Sequence, residues 1–156
     1  MATLKKGDKA PAFNLVDQDG KKVKLADFKG ERVLLYFYPK ADTPGCTKQA
    51  CSVRDARPEL QDLGVTELGI SPDGADAQKK FDKKHSLAFP LLSDPDHKVA
   101  ELYGAWGEKK MYGKSYMGIV RSSFLIDEAG KIMAAWYKIK PENTVPAAKK
   151  VLEDLK

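Results

Sequence analysis

The sequence predicts an α/β fold with a mixed central sheet, flanking helices and an N-terminal β-hairpin extension. Three observations carry that expectation. Arg32-Val33-Leu34-Leu35-Tyr36-Phe37-Tyr38 is apolar at consecutive positions and rich in β-formers, the pattern of a central strand covered on both faces. Strand-like and helix-like segments alternate from there to Tyr103. Hairpin signals stand near both ends, at Asp19-Gly20 and at Glu128-Ala129-Gly130.

Each element follows in order. Ala12 to Val16 and Lys22 to Leu25 flank Asp17-Gln18-Asp19-Gly20 as the first hairpin. The central strand ends at Pro39, and the turn-rich loop Ala41-Asp42-Thr43-Pro44-Gly45 leads into a helix. Pro44 suits its first turn, and Thr43 or Asp42 can cap it. The helix runs to Leu63 before Gly64, with a kink or break expected near Arg57 because Pro58 follows. Val65 to Ser71 is the next strand and Ala75 to His85 the next helix. Phe89-Pro90-Leu91-Leu92 reads as a short strand whose proline puts it at an edge or a strand start. Asp96 to Tyr103 is a short helix. Gly118 to Asp127 and Lys131 to Tyr137 pair as the late hairpin, and Asn143 to Lys156 closes the chain as an amphipathic helix. With no internal repeat or linker in 156 residues, one domain spanning residues 1–156 is expected. Parallel strands early and an antiparallel hairpin late suit a thioredoxin-like core.

Composition narrows the class of function. The 27 Lys and Arg exceed the 22 Asp and Glu by five charges, but the lysines are scattered in short pairs. A nucleic-acid binder concentrates its basic residues with interleaved aromatics, and only Glu108 to Lys114 approaches that pattern. Nucleic acid is therefore not the expected partner. The longest apolar run falls far short of the ~20 residues that span a bilayer, so no membrane anchor is expected. No apolar segment of a signal peptide follows the Lys-rich start. Two cysteines are too few for a disulfide-framed secreted scaffold, and a cytoplasmic location is expected.

Cys46 falls in the first turn of a helix leaving the C-terminal end of the central strand. Unpaired N–H groups and the positive dipole end at such a place stabilise a thiolate. Ligands of open α/β sheets also collect beyond the carboxyl ends of the strands. A free cysteine can equally be a small buried apolar residue. Cys51 stands five residues on. On an ideal helix that spacing separates the Cα atoms by about 8.7 Å, whereas a disulfide needs roughly 4.4–6.8 Å. If both cysteines act in one cycle, the turn between them must unwind first.

Other uses of the pair fit less well. A thioredoxin-type dithiol needs Cys-x-x-Cys. Structural zinc needs four ligands, and His85 and His97 are too far apart in sequence for the usual spacing. A Cys-His hydrolase requires only that nucleophile and base meet in space, although both histidines lie in charged, surface-like surroundings. Arg121 is the other informative residue, placed mid-strand in Gly118 to Asp127. A guanidinium there is costly to bury without an anion. It is either an edge-strand arginine reaching solvent or a carboxylate, or a fixed cation beside a thiolate or developing oxyanion.

Pro39-Lys40-Ala41-Asp42-Thr43-Pro44-Gly45-Cys46 resembles the peroxiredoxin active-site pattern Pro-x-x-x-Thr-x-x-Cys. The longer string Asp42 to Cys51 is similar to the peroxiredoxin Q branch, also called bacterioferritin comigratory protein. Trp106 to Gly113 and Gly118 to Ser122 resemble that branch as well, and the likeness spans nearly the whole chain. The resemblance implies a thiol peroxidase. Cys46 would attack the hydroperoxide, Thr43 would hold peroxide and thiolate, Arg121 would stabilise their charge, and Pro39 would shield the sulfur from water. Cys51 would resolve the sulfenic acid as an intramolecular disulfide, reduced by thioredoxin or glutaredoxin. No metal or other cofactor is required in such a cycle. A resolving cysteine in the same chain removes the chemical need for a dimer, so a monomer is expected. A redox-sensing interaction protein switched by the same disulfide is the alternative.

Overall fold

The computed structural model describes residues 3–155, and its architecture is the mixed α/β one expected. Nine strands are formed: β1 (Asn14–Val16), β2 (Lys22–Lys24), β3 (Arg32–Phe37), β4 (Val65–Ser71), β5 (Leu91–Ser93), β6 (Trp106–Met111), β7 (Lys114–Ile119), β8 (Ser122–Ile126) and β9 (Ile132–Tyr137). The helices are α1 (Pro44–Asp62), α2 (Ala75–His85), α3 (Lys98–Leu102) and α4 (Thr144–Glu153). Seven strands make one sheet in the order β2-β1-β5-β4-β3-β8-β9. Its centre is parallel, β3 with β4 and β4 with β5, and β8 joins β3 antiparallel.

The unbroken apolar run of β3 has the reason the sequence suggested. Val33, Leu35 and Phe37 feed one buried layer with Phe124, Ile70 and Tyr103. Leu34, Tyr36 and Tyr38 feed the other, beneath α1, α2 and α4, with Val53, Leu60, Phe81 and Leu152. Full burial of one such side chain stabilises by about 1.5–3 kcal/mol. The alternation of faces along β3 therefore ties both helical layers to one strand.

Two expectations change. Pro58 does not break α1, which runs unbroken to Asp62. The proline lies on the exposed side. Ala56 and Leu60 are buried on either side of it, and their packing offsets the lost helix hydrogen bond. Gly118 to Asp127 is not one strand. Its first part ends β7, its second part is β8, and Val120 and Arg121 form the junction. There the chain leaves a separate two-stranded sheet, β6 with β7, and joins the main one. Arg121 is thus not mid-strand; its carbonyl accepts from Ile139 N–H at 3.0 Å. The basic segment Glu108 to Lys114 lies in the β6–β7 hairpin, whose turn residues Tyr112 and Gly113 both have positive φ. β5 lies inside the sheet between β4 and β1, and Pro90 stands at its start, one of the two places expected for that proline. The residues expected to extend the last helix to Lys156 reach past the described ones at that final position.

Candidate active site

The site forms where β3 hands the chain to α1. Pro39 to Thr43 make the connection, and Asp42 adopts a φ of 61°, a left-handed conformation that aspartate tolerates better than most residues. Three contacts hold this loop. Ala41 N–H donates to Asp73 Oδ2 at 2.7 Å. Lys84 Nζ lies 2.9 Å and His85 Nε2 3.2 Å from the Asp42 carboxylate. Hydrogen bonds to Lys84 and His85 hold that carboxyl below its ordinary range. Beneath the loop, Tyr38 donates its hydroxyl hydrogen to Gln78 Oε1. Gln78 Nε2 donates to Ser71 Oγ, and Ser71 in turn donates to Asp73 Oδ2. Burial keeps the Tyr38 phenol protonated far above its usual range.

Thr43 is the residue before α1 and is extended, with its hydroxyl donating to Lys40 C=O at 2.9 Å rather than capping the helix. Thr47 N–H makes the first helical bond, to Thr43 C=O. Pro44 has no N–H, so Gly45 and Cys46 carry the donors that a helix start leaves without an intrahelical partner. Cys46 is 1% exposed, with its sulfur in the packed layer beneath α1. Yet that sulfur has a polar neighbour. Arg121 Nη2 donates to Cys46 Sγ at 3.3 Å, and Nη1 donates to Gln49 Oε1. Gly45 makes room for this approach, because a Cβ there would stand 3.3 Å from Arg121 Nη2. Together the guanidinium and the helix start present fixed positive charge to one sulfur, an arrangement that stabilises a sulfur anion.

Arg121 also lines an open cleft of about 580 Å³ with Val120, Ile139, Lys109, Lys110 and Lys138. Partial burial and the nearby Arg121 lower the pKa of Lys109. Another cavity, of about 400 Å³, lies at the far end of β3 against Leu25, Phe28 and Val33, and neither cysteine lines it. Among the described residues, no three His, Cys, Asp or Glu side chains gather as a metal-binding group. No helix among them is long and apolar enough to cross a membrane.

The structure thus brings Arg121 onto Cys46, while the Thr43 hydroxyl is turned to Lys40 C=O and Pro39 stands half-buried at the start of the loop. Cys51 faces elsewhere. It is partly exposed in a shallow groove with Lys48, Ser52, Asp55, Val145 and Lys149. Both thiols are free and the helix between them is intact. The geometric demand made by their spacing therefore stands.

The AhpC/TSA family pattern matches residues 6–135. The chain belongs to that family, in its peroxiredoxin Q branch. It is 55% identical over 143 residues to peroxiredoxin Bcp of Escherichia coli K12, covering 92% of each chain. It is 56% identical over 140 residues to a putative peroxiredoxin Bcp of Haemophilus influenzae, covering 90% of each. A solved structure of Xanthomonas campestris bacterioferritin comigratory protein, studied for its alkyl peroxide reduction activity, superposes with a TM-score of 0.86 at 34% identity. That match covers 91% of this chain and 90% of the other. Peroxiredoxins of this branch are thiol peroxidases with the thioredoxin fold.

Sequence reasoning missed Gln49, which holds the arginine, and Gly45, which admits it. A glutamine three residues after Cys46 lies on the same helical face, and that spacing was the available signal. Asp73, which holds the loop before α1, carries no comparable local mark.

Proposed function

We propose that this peroxiredoxin reduces hydrogen peroxide and organic hydroperoxides through Cys46, with Cys51 as the resolving thiol. The Cys46 thiolate attacks the nearer oxygen of R–O–O–H. The S–O bond forms as the O–O bond breaks, leaving a sulfenic acid and an alkoxide that takes up a proton as alcohol, or as water from hydrogen peroxide. Arg121 and the Gly45 and Cys46 N–H groups stabilise negative charge moving from sulfur to the leaving oxygen. Thr43 positions the peroxide, and Pro39 keeps water from the sulfur. The observation that carries this reading is the 3.3 Å contact between Arg121 Nη2 and Cys46 Sγ at the start of α1. The cleft beside Arg121, with Val120 and Ile139, suits an organic tail, in keeping with the alkyl peroxide activity of the Xanthomonas relative.

After α1 unwinds locally, the Cys51 thiol displaces hydroxide from the sulfenic sulfur, releasing water and closing the disulfide. A partner dithiol, thioredoxin in this reading and glutaredoxin as the alternative, takes the disulfide by exchange. Such a cycle suits a reducing compartment, the cytoplasm, and is complete within a monomer. The test is NADPH oxidation in the presence of thioredoxin, its reductase and hydroperoxide. NADPH loss matching peroxide loss is expected; no loss here, and none with glutaredoxin, glutathione and glutathione reductase in place of the thioredoxin system, overturns the reading in favour of a disulfide-switched interaction protein.

A further inference from the structure

Disulfide formation requires the turn carrying Gln49 to come apart, and Gln49 is the middle of a buried polar chain reaching the C-terminal helix. Its Nε2 donates to Thr144 Oγ1 at 2.8 Å, and Thr144 Oγ1 lies 2.9 Å from Ser123 Oγ. Its Oε1 accepts from Arg121. Gln49, Thr144 and Ser123 are each 0% exposed, so solvent does not substitute for any of these partners. An amide has one donor end and one acceptor end. Turned over, Gln49 would set its NH2 group against the guanidinium, donor facing donor, where unmatched polar groups are costly. The donor-only guanidinium therefore sets which way round the amide lies, and the Thr144 hydroxyl anchors the other end by accepting from Nε2. That hydroxyl belongs to the first residue of α4, after the N-cap Asn143, and its described hydrogen bonds are those to Gln49 and Ser123. The turn before α4 adds a second contact at the same place: Pro141 Cγ lies 3.5 Å from where a Gly45 Cβ would stand.

We propose that Thr144 is a positioning residue for both halves of the Cys46 cycle. It anchors Gln49 so that Arg121 is held on the sulfur, and it latches the turn that must unwind before Cys51 can arrive. The proposal rests on the peroxidase cycle given above. Loss of the latch therefore acts in opposite directions: it slows the first step, because Arg121 is less well held, and it speeds the second, because the turn opens more readily. A residue that merely packs the core has no reason to do both.

Thr144→Val keeps the shape and removes the acceptor, whereas Thr144→Ser keeps the acceptor. The first step is measured as sulfenic acid formation with hydrogen peroxide in a Cys51→Ser background. The second is measured with Cys51 present, as the fraction of Cys46 driven to sulfinic acid at fixed peroxide. Thr144→Val is expected to slow the first step about tenfold and to lower the sulfinic fraction, with Thr144→Ser restoring both. Any result other than opposed changes restored by serine overturns the proposal. Thr144→Ala is read in the same way if the valine variant does not fold. If the unaltered protein does not consume peroxide, the peroxidase reading fails and amide hydrogen exchange decides the latch. Thr144→Val is then expected to speed exchange of the residue 47–51 amides about tenfold relative to the rest of α1, and unchanged exchange overturns it.

Discussion

Cys46 and Cys51 occupy neighbouring turns of one helix, and their surroundings differ in almost every respect. Cys46 is sealed in the layer beneath α1 and touches Arg121, with the free N–H groups of the helix start beside it. Cys51 opens onto a groove edged by Lys48, Asp55 and Lys149, with no arginine on its sulfur among the described hydrogen bonds. Helical rotation alone produces the contrast: five residues turn a side chain by about 140°. One thiol thereby has a fixed cation on its sulfur, and the other is open to the surface. The intact helix between them holds the two thiols apart.

Four substitutions test that contrast, from the largest expected effect to the smallest. Cys46→Ser should reduce peroxide consumption to background, because a hydroxyl replaces the thiolate; the thioredoxin-coupled assay reads this. Cys51→Ser should keep one rapid turnover and lose the rest, visible as a single equivalent of peroxide consumed and a stable sulfenic acid by mass. Equal residual activity in the two variants would break the distinction between them. Arg121→Ala should slow the first turnover by about 10²-fold in stopped-flow mixing, as for loss of a charge-stabilising donor. An unchanged rate would remove the arginine from the chemistry.

The smallest effect concerns the loop before Cys46. The Asp42 carboxyl is held below its ordinary value of 3.8 in the folded chain by Lys84 and His85. Its stabilisation is therefore complete above that ordinary value and is lost as pH falls through the lower folded one. The pair is exposed, so Asp42→Asn should lower Tm by only about 1–2 °C at neutral pH. The difference should vanish in thermal scans at acid pH below the folded pKa, and a difference that persists there would mean the clasp is not ionic.

Much of this molecule was readable from local sequence. The unbroken apolar run of β3, the segments that became β4 and α2, and the Thr43-Pro44 start of α1 all announce themselves by short-range patterns. Cys46 could be placed at a helix start because its neighbours in sequence make that start. The five-residue spacing to Cys51 was enough to show that the two thiols cannot bond within an intact helix, since helix geometry is the same in every protein.

What the local pattern could not reach is where the chain changes partners. Gly118 to Asp127 is uniformly β-prone, and nothing within it marks Val120-Arg121 as the switch between two sheets. That break turns the Arg121 side chain onto a sulfur 75 positions earlier. Pro58 likewise reads as a helix breaker until Leu60 is seen buried beyond it. The chain of Ser123, Thr144 and Gln49 joins three distant segments through hydroxyls and an amide that look ordinary in sequence. Short-range sterics and periodicity were written in the sequence itself. Partnerships across the fold were decided by tertiary packing, because a buried polar group takes whatever partner the assembled core brings within reach.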